Sequence, residues 1–199
     1  MRFYRIKNNQ QKWGDYGAIL WSGMTNHLPR YNGLLQLERT GPFVPAAFIS
    51  GISNLVVNNY VKENIEKTSL VGFEFREVYK AKIVHLEWEK WNKNFDMPPN
   101  IPESGEPEDY IMANPHSVEI ADSLGRLWEV CEISFAVVKK RKKYILLGKS
   151  CPSLRKASWK GQDIFSSRFL GGRFVTEIAK NIFQQFAPNC LHFEEIEVV

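Results

Sequence analysis

Few side chains in this sequence stand at spacings that catalysis or metal binding requires. The four histidines, His27, His85, His116 and His192, lie far apart, and none belongs to a close ligand pair of the HExxH kind. Cys190 and His192 alternate, so on a strand they would share a face, but two ligands do not complete a zinc site. Cys131, Cys151 and Cys190 are odd in number and form no CxxC pair, which argues against a disulfide framework and for buried thiols. No GxSxG elbow presents a serine nucleophile. Gly171-Gly172 lacks the lysine and hydroxyl residue that complete a phosphate loop, and reads as a turn. Carboxylates gather between Glu103 and Asp109 and at Glu194, Glu195 and Glu197, yet groups on a loop hold no fixed separation for proton transfer. Arg39 has two readings, an anion clamp or a structural salt bridge. The expectation is a protein with no catalytic residue, no metal and no cofactor.

What the residues do offer is charge segregated along the chain. Between Lys93 and Arg126 there is no lysine or arginine, while Asp96, Glu103, Glu106, Glu108 and Asp109 accumulate among Pro98, Pro99, Pro102, Pro107 and Pro115. A long loop of this kind is either functional or mobile; it is the expected contact surface, with a plain solvated linker as the other reading. Trp88 and Trp91, just before it, are its candidate aromatic anchors, because binding energy concentrates in such residues. The opposite charge appears at Lys139, Lys140, Arg141, Lys142 and Lys143, within a stretch from Ile133 to Gln162 whose charged residues are all positive. A basic hairpin tip can contact phosphates, although it also keeps a hairpin soluble. The aromatic RNP pattern and zinc-finger spacing of nucleic-acid binders are missing.

These residues must be positioned by a chain of 199 residues, 44% hydrophobic and 24% charged, with a net charge of +4. That suits one compact domain, with an N-terminal half at about 1–93, the acidic loop at about 94–117 and a C-terminal half at about 118–199. No apolar run reaches membrane-spanning length, and the opening MRFYRIK alternates like a strand and lacks a signal peptide's apolar core, so the chain is expected in the cytoplasm. Strands are predicted at 3–6, 16–21 and 34–37, and RTGPFVP is stiffened by its prolines.

The run Leu55-Val56-Val57 predicts a buried strand. Asn58 then caps a helix that turns Val61 and Ile65 inward and carries a Glu63–Lys67 pair. A long strand from Phe73 to Leu86, bent near Tyr79, follows. Further on, 127–138 alternates as a strand with 144–147 as its partner. The helix module then recurs 118 positions later: Val57, Val61, Ile65, Phe75 and Val78 correspond to Val175, Ala179, Phe183, Phe193 and Ile196. Thr176 replaces Asn58 as the cap, and Ile178, Ile182, Phe183 and Phe186 form the apolar stripe. The fold class expected is α+β, a mainly antiparallel sheet with two related strand-helix-strand modules.

Several segments together carry a resemblance: MRFYRI, LERTGPFVP, LVGFEFREVYKAKIVHLEWEKW, WKGQDIF and FVTEIAKNIFQQFAPNCLHFEEI. They resemble a bacterial family of immunity proteins from polymorphic toxin systems, over nearly the whole chain. The resemblance implies a protein made beside a toxin, which binds that cognate toxin non-covalently and protects the cell. It brings no catalytic residues. The basic balance departs from what an inhibitor of a cationic nuclease would show. The alternative is a nucleic-acid-associated module using the basic hairpin.

Overall fold

The computed structural model describes residues 1–51, 53–140, 152–167 and 169–199. Among them are thirteen strands and five helices, a mixed α/β arrangement. Leu55 to Val57 form the buried centre of β4 (Asn54–Asn58), which pairs with β3 (Ala47–Ser50). The Asn58 side chain accepts a hydrogen bond from Val61 N at 3.0 Å and so opens α2 (Asn59–Glu66), relieving one of the unpaired amides of a helix start. Its ion pair is Lys62–Glu66 at 2.7 Å, in place of the expected Glu63–Lys67. The return strand divides into β5 (Phe73–Glu77) and β6 (Tyr79–His85), because the chain changes partners there: Val78 N bonds to Leu127 O and Tyr79 N to Leu35 O.

The second module is β12 (Arg173–Thr176), the helix Glu177–Phe186 and β13 (Leu191–Val198). Thr176 Oγ1 accepts from Ala179 N at 3.4 Å. On this helix Ala179 and Phe183 are buried, whereas Ile178, expected in the apolar stripe, is exposed.

Both modules are completed by a strand from the other half of the chain. β7 (Leu127–Glu132) lies between β4 and β5, antiparallel to both, and β1 (Phe3–Asn8) lies in the same way between β12 and β13. The registers coincide. Val57 faces Trp128 as Val175 faces Tyr4, and Phe75 faces Val130 as Phe193 faces Ile6. Outside β12 runs β11 (Ile164–Ser167), as β3 runs outside β4. β2 (Gln36–Gly41) pairs parallel with β6 at Leu37 and Lys80, and β10 (Pro152–Leu154) pairs parallel with β13 at Leu154 and Val198. Each half therefore lends its leading strand to the other.

The sheet is mixed and nearly barrel-shaped, not mainly antiparallel. Parallel pairs occur at β2/β6, at β10/β13 and between β11 and β8 (Phe135–Ala136). The helix crossovers bring β5 and β13 back in the direction of β4 and β12, and the outer strands then run alongside them. Closure combines side-chain and backbone contacts. Asn8 Nδ2 donates to Ile49 O and Asn8 Oδ1 accepts from Ile49 N, both at 2.7 Å, so the amide of β1 continues the hydrogen-bonding of β3. On the other flank Asp163 N bonds to Val71 O at 2.8 Å, and buried Arg173 pairs with Glu132. The two module helices cover one face of this sheet and share a core of Val61, Ile65, Ala179 and Phe183 with Leu55, Val130 and Val175.

Other expectations need correction. Residues 16–21 belong to a helix, α1 (Asp15–Ser22), because Gly17 and Leu20 are buried one turn apart and an apolar run this short carries no decisive period. The strand expected over 127–138 breaks into β7, β8 and β9 (Val138–Lys140), which pair with four different neighbours, β7 with β4 and β5, β8 with β11 and β9 with β10. The partner expected at 144–147 lies outside the described residues; β9 pairs with β10. Among the described residues Arg39 is neither a surface clamp nor a salt-bridge partner. It is 0% exposed, donates to the carbonyls of Thr40 and Phe43, and lies 5.0 Å from the Phe48 ring. Burial lowers its pKa to about 9, which leaves it charged at neutral pH.

Candidate interaction surface

The acidic segment is a structured insertion laid on the open edge of β6. It holds α3 (Asp109–Ala113) and runs directly into α4 (Val118–Ser123), so it is less of a loop than its prolines suggest. His116 Nδ1 accepts from Ile83 N at 2.9 Å and Ser117 N donates to Ile83 O at 2.7 Å, so both free groups of Ile83 are used. Lys82 Nζ donates to Met112 O at 2.8 Å, and Lys80 Nζ to the carbonyls of Ala121 and Gly125. Cations at helix C-termini satisfy their unpaired carbonyls. Ile111 packs with Met24 and Val84, and Leu124 with Ile83. From the other side the α1 region straps the insertion: Trp13 Nε1 donates to Phe95 O at 2.9 Å and Tyr16 Oη to Gly105 O.

The two candidate anchors separate. Trp88 is 2% exposed and packs against Phe43, ring centroids 5.3 Å apart, and Trp21, 6.5 Å apart. It is a core residue, because the turn Trp88–Lys90 drives its indole inward, and it cannot be the contact anchor expected of it. Trp91 is half-buried between Trp13 at 5.9 Å and Tyr110 at 6.3 Å, and it forms the aromatic base of the insertion.

Asp96, Glu103 and Glu106 are exposed, and Glu108 and Asp109 are half-buried. None of the five forms an ion pair among the described residues, in contrast with Glu38, Glu66, Glu77, Glu129, Glu132 and Glu194, which all do. Beside them stand exposed apolar side chains that the sequence reading did not single out: Phe95 and Met97, each 57% exposed, with Ile101 and Met112. Their only signal in the sequence is that large apolar residues recur among acids and prolines. A groove of about 620 Å3 runs between 101–104 and 109–114, lined by Glu103, Asp109, Tyr110 and Met112 among others. Tyr110 is nearly buried; burial, with the neighbouring Tyr16, pushes its pKa up to about 12, so the phenol stays protonated.

Glu108 instead lines a second cleft, of about 610 Å3, between β1 and α1. Of the bases there, Lys7 pairs with Glu194 at 2.6 Å and His27 with Glu38 at 2.7 Å, while Arg5 donates to Gly171 O and its buried Nε has no partner among the described residues. Of the basic cluster, Lys139 and Lys140 are exposed, with Lys139 Nζ 4.7 Å from the ring of exposed Phe169; Arg141, Lys142 and Lys143 lie outside the described residues. Among the described residues no three His, Cys, Asp or Glu side chains are grouped to hold a metal ion. Among the described residues no helix is long and apolar enough to cross a membrane.

No family model, curated protein or solved structure matches this chain.

Proposed function

We propose that the chain is a non-enzymatic immunity protein, acting in the cytoplasm, that captures and neutralises a toxin made beside it through the acidic and apolar face of residues 94–114. The observation that carries this reading is the set of five unpaired carboxylates interspersed with exposed Phe95, Met97, Ile101 and Met112, on an insertion held to the scaffold by hydrogen bonds from Trp13, Tyr16, Lys80 and Lys82. Exposed apolar groups rimmed by charge mark contact surfaces, and a rigid surface loses little entropy on binding. The local negative field selects a basic partner and speeds its encounter, even though the chain as a whole carries +4.

The test is growth of a bacterium expressing the neighbouring gene's product alone and together with this chain. Arrest that this chain relieves is the expected result; toxicity that it does not relieve rejects the proposal. Charge reversal of Glu103, Glu106, Glu108 and Asp109 to lysine should raise the dissociation constant by about tenfold or more, and an unchanged constant removes the insertion from the interface.

A second reading, a nucleic-acid-associated module, rests on exposed Lys139 and Lys140 beside Phe169. It requires binding to generic RNA or DNA that weakens steeply as salt rises; a flat salt response dismisses it.

A further inference from the structure

We infer that the outer edge of β5 (Phe73–Glu77) pairs antiparallel with the same edge of a second copy of this chain, an inference independent of the immunity reading. β5 ends its sheet and joins β7 on one side only. Ile133 N bonds to Gly72 O at 3.1 Å and Val78 N to Leu127 O at 2.9 Å, so Gly72 and Val78 aim backbone groups at β7. In an antiparallel ladder that direction alternates along the strand. Glu74 and Arg76 therefore bond toward β7, and Phe73, Phe75 and Glu77 point away from it. At Val71 the outward carbonyl accepts from Asp163 N at 2.8 Å, as the alternation requires. Beyond it, Phe73, Phe75 and Glu77 have no backbone partner among the described residues. Such a row of free N–H and C=O groups is a template for another strand, and β5 carries no proline or bulge to blunt it.

The side chains choose the occupant and the register. Two such edges join only where the outward residues of one copy stand opposite the outward residues of the other. Centred on Phe75, the sequence FEFRE sets Phe75 against its own copy, Phe73 against Glu77 and Glu74 against Arg76, on both sides of the symmetry axis. Sliding to the neighbouring allowed register sets Glu74 against Glu74 or Arg76 against Arg76, and like charges directly opposite destabilise a strand pair. The strand is thus self-complementary in the centred register. Glu74 and Arg76 are exposed, and they now pair with each other within one strand. In the dimer they fall at a non-hydrogen-bonded position, where facing side chains approach most closely. On the other face Phe75, half-buried with Lys62 Nζ 5.6 Å from its ring, gains an aromatic neighbour. The contact uses the same patch on both copies, so it closes at two and joins their β3-β4-β7-β5 sheets into one.

The experiment is analytical ultracentrifugation of the full-length chain over a concentration series. One strand pair is a small interface, so a dimer with a dissociation constant of order 10–100 μM is expected. Arg76→Glu and Glu74→Arg each set like charges across the axis and should weaken it about tenfold or more. The reversed double variant, Glu74→Arg with Arg76→Glu, restores both pairs and should dimerise as the wild type does. The two single variants, mixed, should pair with each other in preference to themselves. Unchanged far-UV circular dichroism shows that the variants fold. Hydrogen exchange reads the backbone: amides of Phe73, Phe75 and Glu77 should gain protection as the chain dimerises, whereas those of Glu74 and Arg76, bonded to β7, are protected at every concentration. A chain that stays monomeric up to about 1 mM, a dimer that neither single variant weakens, or a reversed variant that fails to restore it would overturn the inference. So would a dimer in which those three amides gain no protection. Rescue of growth tests the toxin reading separately, since it does not depend on this edge.

Discussion

The two halves of the molecule share one skeleton and differ in what is attached to it. Strand order β3-β4-β7-β5 in one matches β11-β12-β1-β13 in the other, with the same registers and with Asn58 and Thr176 as equivalent caps. The differences fall where the skeleton does not need agreement. Glu129 on β7 and Arg5 on β1 occupy equivalent places, yet Glu129 is buried with Arg30 on both carboxylate oxygens, at 2.7 and 2.8 Å, while Arg5 donates to Gly171 O. Among the described residues only the N-terminal module has a helix like α1 beside it and, on β6, the acidic insertion. Its unpaired charge and exposed apolar groups are therefore additions to a framework that stands without them, which is how a binding surface differs from a core.

The largest expected effect tests whether the halves are one cooperative unit. Phe183 and Ile65 are equivalent and share a core; Phe183→Ala should cost about 3–5 kcal/mol and Ile65→Ala about 2–4. Urea unfolding should show a single transition for each. Two transitions, with only one half shifted, would break the comparison.

Next is the acid response of Glu129. Burial raises its pKa, but the hydrogen bonds and charge of Arg30 outweigh burial and hold the carboxyl below the usual range. A carboxylate depressed in the folded state contributes stability that is present above its unfolded pKa and lost as pH falls through the folded one. Between roughly pH 5 and 3 the wild type should lose about 1–2 kcal/mol that Glu129→Gln does not, a figure discounted because Arg30 is partly exposed. Parallel acid limbs would sink this assignment.

The caps give a smaller contrast. Asn58→Ala should cost about 0.5–1 kcal/mol and Thr176→Ala about 1–2, the reverse of the intrinsic order. The reason is that Thr176 Oγ1 also donates to Asp163 Oδ1 at 2.7 Å. Equal costs would mean that this second bond contributes nothing.

The smallest effect is chemical. Burial, then the charge and hydrogen bond of Glu129, push the Cys131 thiol up to about 12. Iodoacetamide at pH 8 should label it about tenfold or more slowly in the folded protein than in urea. Equal rates would show an accessible thiolate.

The modules were legible because each is written locally. A β-branched run, a capping residue and apolar residues at helical spacing specify β4-α2 and β12 with its helix, whatever they pack on. The insertion's acidity was legible too, since composition survives folding. Trp88 and Trp91 were not distinguishable, because two tryptophans three positions apart in one segment carry no signal of which ring turns inward. Tyr16 to Trp21 misled for the same reason: six residues sample too little of either period.

By itself the sequence determined the repeat, its caps, the inward turn of Val61, Ile65 and Phe183, though not the exposure of Ile178, and the charge of the insertion, all properties of neighbouring residues. Only the tertiary structure decided which strands meet. β1 and β7 alternate alike, and either could lie between β4 and β5; the choice is made by contacts more than a hundred residues apart in sequence, such as Val175 with Tyr4. The parallel pairings and the burial of Trp88 follow from that choice, because each depends on partners brought in from distant parts of the chain.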